Sequence, residues 1–166
     1  MVLLILISAP LLTVQANLFR SQDAQVLDSF AQRILAAQKD NLDIQRSLNQ
    51  SYSFEAYQCI SDFDIYLGQF GMEISFISTL VVISSTMESQ FDESVTNQYL
   101  GIQVRNSLKL LPIARRATNL SAGRCGSSAV VVNRAQLALS LFDAGERLLS
   151  GLNRRVMSVK LVEIRE

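Results

Sequence analysis

The chain has 166 residues, balances 15 basic against 15 acidic side chains, and contains neither histidine nor tryptophan. Without imidazole there is no Ser-His-Asp or Cys-His nucleophile system, no imidazole general base and no His-containing zinc site. Zero net charge, with basic residues that lack interleaved aromatics, argues against nucleic acid as a partner.

Residues 1–16 read as a cleaved secretory signal peptide. The run from Val2 to Val14 is uncharged, shorter than the roughly 18 apolar residues of a bilayer span, and closes on Val14-Gln15-Ala16 before polar residues begin. The n-region has no Lys or Arg beyond the amino terminus. Cleavage after Ala16 leaves 17–166, the size of one domain. Export puts Cys59 and Cys125 in an oxidising compartment, where they pair with each other and leave no free thiol. It also makes Asn49-Gln50-Ser51 and Asn119-Leu120-Ser121 acceptors for N-glycans.

Beyond the signal, the only proline is Pro112, and such long breaker-free stretches predict long helices. From Leu27 the positions Phe30, Ile34, Ala37, Asn41, Ile44 and Leu48 step by three and four, predicting a first helix over 21–49. Asn41 falls inside that stripe, where a polar residue fixes register. Ser53 is the expected N-cap of a second helix over 54–88, with Phe63, Leu67, Phe70, Ile74, Ile77, Val81 and Ser84 as its apolar face. Its β-branched middle, 74–84, also fits a buried strand, and Gly68 with Gly71 fits a kink or break; the absence of a flanking turn favours helix.

Ser89-Gln90-Phe91-Asp92 resembles a capping box and opens a third helix carried by Val95, Tyr99, Ile102, Leu108 and Leu111, which Pro112 should kink or end. Residues 117–127, small, polar and glycine-containing, read as a loop. A fourth helix starts near Ser128 with Val131, Leu137, Leu141, Ala144, Leu148 and Leu152 inward, and residues 152–166 either extend it or form a short separate element. The fold expected is an all-α, antiparallel up-down-up-down bundle tied by the Cys59–Cys125 disulfide. Helices two and three each span roughly 40–50 Å at 1.5 Å per residue, which returns the chain to the level of Cys59.

Charge is uneven along the chain. Acids such as Asp23, Asp40, Asp43, Asp62, Asp64 and Glu73 dominate up to Val104, and bases dominate from Arg105 onward. In the simplest reading the acidic helices face the basic ones. In the functional reading Arg115, Arg116, Arg124, Arg154 and Arg155 form a patch for an anionic partner, an extracellular protein or an anionic glycan. Asp62 and Asp64 are close in sequence but point to different helix faces, and read as solvated acids. Phe54, Tyr57, Phe63, Tyr66, Phe70 and Phe76 read as core, or as the lining of an apolar pocket. Gly123 to Ser128 lacks the lysine and spacing of a P-loop and reads as a disulfide-tethered turn. No residue set reaches a catalytic, metal or cofactor motif. The expected role is that of a secreted, non-enzymatic helical protein that binds a partner, with a carrier of lipid or another small apolar ligand as the alternative.

Overall fold

A computed structural model describes residues 21–51, 53–86 and 90–163, with side chains over 22–51, 53–86 and 95–156. The signal-peptide residues and Ser89 of the capping box lie outside these. Four helices follow one another: α1 (Ser21–Gln50), α2 (Phe54–Thr86), α3 (Gln90–Arg124) and α4 (Ala129–Glu163). They run up, down, up and down, each packed on the next, and α4 returns to α1. The close diagonal is α2 against α4, so α1 and α3 stand apart on either side of it.

The core forms where the inward stripes meet. Every residue of the predicted α2 face from Phe63 to Ser84 is buried, as are Leu27, Phe30, Ile34, Ala37 and Asn41 of α1. Segment 74–84 is helix, and Gly68 and Gly71 interrupt nothing. At Gly71 a Cβ would lie 2.9 Å from Ile34 Cγ2, so the glycine lets α1 approach α2 closely. In the centre the Phe70 ring meets Phe30 and Phe142 edge to face, at centroid distances of 6.3 and 5.7 Å.

Local chemistry closes the helix ends. The Ser51 and Ser53 amides reach the Ser47 and Leu48 carbonyls at 3.1 and 2.9 Å, so the last turn of α1 is satisfied. Ser53 directly precedes α2, and its carbonyl accepts from the Tyr57 amide at 3.0 Å. The Ser128 carbonyl accepts from Val132 at 3.1 Å as α4 begins. That helix runs through Gly151 to Glu163 without a separate terminal element.

Two expectations for α3 fail. The helix passes Pro112 and continues to Arg124, so 117–124 is helix and only Cys125–Ser128 turns. Pro112 removes the donor for the Leu108 carbonyl, but it lies on the exposed face, where water replaces that donor. The small polar residues of 117–124 are packing residues: Thr118 and Ser121 are buried, and the Thr118 hydroxyl donates to the Ala114 carbonyl at 2.8 Å. The second departure is a partial rotation: Leu111 is buried and Leu108 packs against the core as expected, but the N-terminal positions do not. Val95, Tyr99 and Ile102 point outward, and the buried face is Thr96, Leu100, Val104, Ser107, Leu111, Ala114, Thr118 and Ser121. On α4 Val131, Leu141 and Leu152 are buried as expected and Ala144 and Leu148 pack against the core, Leu137 is exposed instead, and Ala135, Ala138, Phe142, Leu149 and Val156 complete the core face.

Candidate functional site

Opposite charges along the chain meet across the bundle. Arg155 on α4 grips Asp23 on α1 with two hydrogen bonds of 2.9 and 2.8 Å. Arg124 at the end of α3 donates to Asp62 on α2 at 2.7 Å, and its Nε lies 3.3 Å from Cys59 Sγ. Arg115 bridges Asp143 and Glu146 on α4 at 2.7 and 2.6 Å. The hydrogen bond that Arg115 donates to Glu146, with a smaller effect from the one to Asp143, raises its pKa further above the ordinary value against the opposing effect of burial. Arg116 and Arg154 are exposed and form no ion pair among the described residues. The five arginines do not make one patch. Arg124 stands at the disulfide end, whereas Arg154 and Arg155 lie roughly 40 Å down α4 at 1.5 Å per residue.

The acids that sequence spacing places close together also separate. Asp62 turns to Arg124, while Asp64 accepts from Asn41 Nδ2 at 2.6 Å. Asn41, 1% exposed, in turn accepts at Oδ1 from Arg134 Nε at 2.6 Å, and Arg134 also donates to the Ala37 carbonyl at 2.7 Å. One polar chain thus links α2, α1 and α4 inside the upper bundle. Burial pushes the Asp64 carboxyl up, against the lowering effects of its Asn41 hydrogen bond and the Arg134 charge. A carboxyl held above its unfolded value favours the fold in acid, a contribution intact below the ordinary carboxylate value and lost as pH rises from there through the raised folded-state value. Arg134→Ala orphans the Asn41 oxygen and removes a counter-charge. The variant should be less stable by about 2 kcal/mol in urea denaturation, with Asp64 displaced further upward.

At the disulfide end, Cys59 and Cys125 are bonded with S–S 2.04 Å. Asn49 and Asn119 are both exposed there, each on the last turns of a helix. The Cys125–Ser128 turn carries the disulfide, and Gly123 belongs to the last turn of α3. The aromatic residues divide: Phe63 and Phe70 are fully buried, Tyr66 is half-buried, and Phe54, Tyr57 and Phe76 are at the surface. They do not line one chamber. A groove of about 540 Å³, open to solvent, runs between α1 and α4 past Val26, Phe30, Arg33, Ala144 and Leu148. Among the described residues no three His, Cys, Asp or Glu side chains gather as metal ligands.

The outer face of α3 is what sequence reading missed. Ile102, Arg105, Lys109, Ile113, Arg116 and Leu120 follow steps of three and four and occupy an arc of roughly 80° at 100° per residue. Ile102, Ile113 and Leu120 are exposed, the last at 65%, as are Lys109 and Arg116. No acidic residue occurs from Ser94 to Phe142. Three cations of that stretch, Arg115, Arg124 and Arg134, are met by acids of neighbouring helices. Lys109 and Arg116 point outward and share their surface with aliphatic side chains. This acid-free run was visible in the sequence, but the face it occupies was not. No protein-family model, characterised protein or solved structure matches the chain.

Proposed function

We propose that this is a secreted, non-enzymatic helical protein that binds an acidic extracellular protein through the outer face of α3. The observation that carries this reading is the exposed stripe of Ile102, Lys109, Ile113, Arg116 and Leu120 in an acid-free helix. Such a face fits a groove or helix that is apolar along its centre and acidic at its rim. A purely anionic glycan would use Lys109 and Arg116 and leave the three aliphatic side chains in water.

Export rests on the N-terminal apolar run, and the Cys59–Cys125 disulfide is compatible with it. Glycans at Asn49 and Asn119 would crown one end, leaving the partner the face of α3 from Leu120 down to Ile102. The carrier alternative draws on the α1–α4 groove, whose size suits a small ligand but whose wall is open. Lipid co-purifying with the protein, identified by mass spectrometry, would favour that reading.

The test is capture from extracellular fluid of the source tissue by immobilised wild type, compared with Lys109→Glu/Arg116→Glu and with Ile113→Ala/Leu120→Ala. Both pairs of changes should weaken the same interaction about tenfold or more, equivalent to at least 1.4 kcal/mol.

A further inference from the structure

The surface of α2 facing away from α4 carries a second stripe. Phe54, Gln58, Ser61, Ile65, Met72, Phe76, Thr79 and Ile83 fall within an arc of roughly 60° at 100° per residue. None of them is charged, nor are Gly68 and Gln69 between them. Ile65 and Met72 are 66% and 70% exposed, and Phe76 and Ile83 are 42% and 38% exposed. A helix apolar on all sides is normally covered on all sides, yet α1, α3 and α4 leave this face open.

The spacing of the stripe is symmetric, as regular heptad spacing allows. About a centre between Gly68 and Gln69, position 65 mirrors 72, 61 mirrors 76, 58 mirrors 79 and 54 mirrors 83. An antiparallel twofold through that centre sets Ile65 against Met72, the Phe76 ring against the small Ser61, Gln58 against Thr79 and Phe54 against Ile83. At the centre the Phe76 ring meets a small side chain and Ile65 a flexible one, and Gln58 meets the polar Thr79. The stripe itself is uncharged, with the acids Asp64 and Glu73 at its rim, whereas the α3 face has Lys109 and Arg116 within it. Each copy contributes on the order of 400–500 Å² of exposed apolar side chain, counting an aromatic ring at about 200 Å². The two copies therefore approach the roughly 1,000 Å² needed for a stable interface.

We infer that α2 is a self-association face, on which a second copy of this chain docks antiparallel, α2 against α2, about Gly68 and Gln69. The α3 stripe and the sequons lie off this interface, and the twofold sends the two disulfide ends in opposite directions.

Sedimentation of the mature chain at about 100 μM, well above a micromolar dissociation constant, should give twice the monomer mass. Ile65→Glu/Met72→Glu should sediment as a monomer with an unchanged circular dichroism spectrum, because both side chains are exposed. Orientation is read with a short bismaleimide. Gln69→Cys should cross-link to its twin, and Thr79→Cys should not, since its twin lies about 30 Å away along the helix pair. A monomeric wild type overturns the inference. So does cross-linking at both positions, which marks a parallel pair. So does a monomer that floats with phosphatidylcholine vesicles, which assigns this apolar helix to a lipid surface.

Discussion

Phe70→Ala is expected to destabilise the bundle by about 3–5 kcal/mol, the range for deleting a buried aromatic ring. The ring has no exposed surface and touches Phe30 and Phe142 on two other helices. It also lies directly over Gly145 of α4, where an added Cβ would overlap its edge and crowd the Phe30 ring at 3.1 Å. Glycine costs a helix about 1 kcal/mol relative to alanine, so Gly145 persists because the ring occupies the space. Gly145→Ala alone should therefore destabilise by about 1–3 kcal/mol despite its better helix propensity. In a Phe70→Leu background the same change should cost less or become stabilising, a coupling that a double-mutant cycle in urea reads directly. Additive effects would mean that the ring does not fix the α2–α4 distance.

The second large effect is expected at the disulfide. Cys59 and Cys125 are 66 residues apart, and closing a loop of that length stabilises by about 4 kcal/mol in the chain-entropy model. Cys59→Ala/Cys125→Ala should lower the melting temperature by about 10 °C, taking 2–4 °C per kcal/mol for a chain of this size. Both cysteines are buried, and Arg124 closes over the bond towards Asp62. With sulfur gone the Arg124–Asp62 pair remains, but it is half exposed and contributes less than about 1 kcal/mol. Hydrogen exchange should accelerate first across the last turn of α3 and the Cys125–Ser128 turn. A shift of only a degree or two would mean that side-chain contacts already hold that end.

Where the core face is built from large aliphatic and aromatic residues, the sequence could be read directly. The α2 stripe from Phe63 to Ser84, the polar position of Asn41 in α1, the antiparallel order and the cysteine pairing all stand in the structure as expected. Helix α3 reverses the usual cue. Its inner face is Thr96, Ser107, Ala114, Thr118 and Ser121 among a few aliphatics, while its outer face carries Val95, Tyr99, Ile102, Ile113 and Leu120. Hydropathy alone therefore misplaces Val95, Tyr99 and Ile102, while Leu108 and Leu111 lie inward as expected. The rotation is fixed by contacts between distant residues, such as Ser107 donating to Glu73 on α2 at 3.2 Å and the Cys125 tether.

The arginines follow the same logic. Sequence shows that they are numerous late in the chain, but only packing shows that Arg115, Arg124, Arg134 and Arg155 turn towards acids of other helices. What remains for a partner, Lys109 and Arg116 among aliphatic neighbours, becomes legible once that rotation is known.

The most direct test of partner binding by α3 is the side-chain dependence of the captured interaction in rising salt. The expected result is a complex weakened by salt and lost in Lys109→Glu/Arg116→Glu, and weakened equally in Ile113→Ala/Leu120→Ala at every salt concentration. Binding that survives charge reversal at Lys109 and Arg116, or that ignores Ile113 and Leu120, would contradict it.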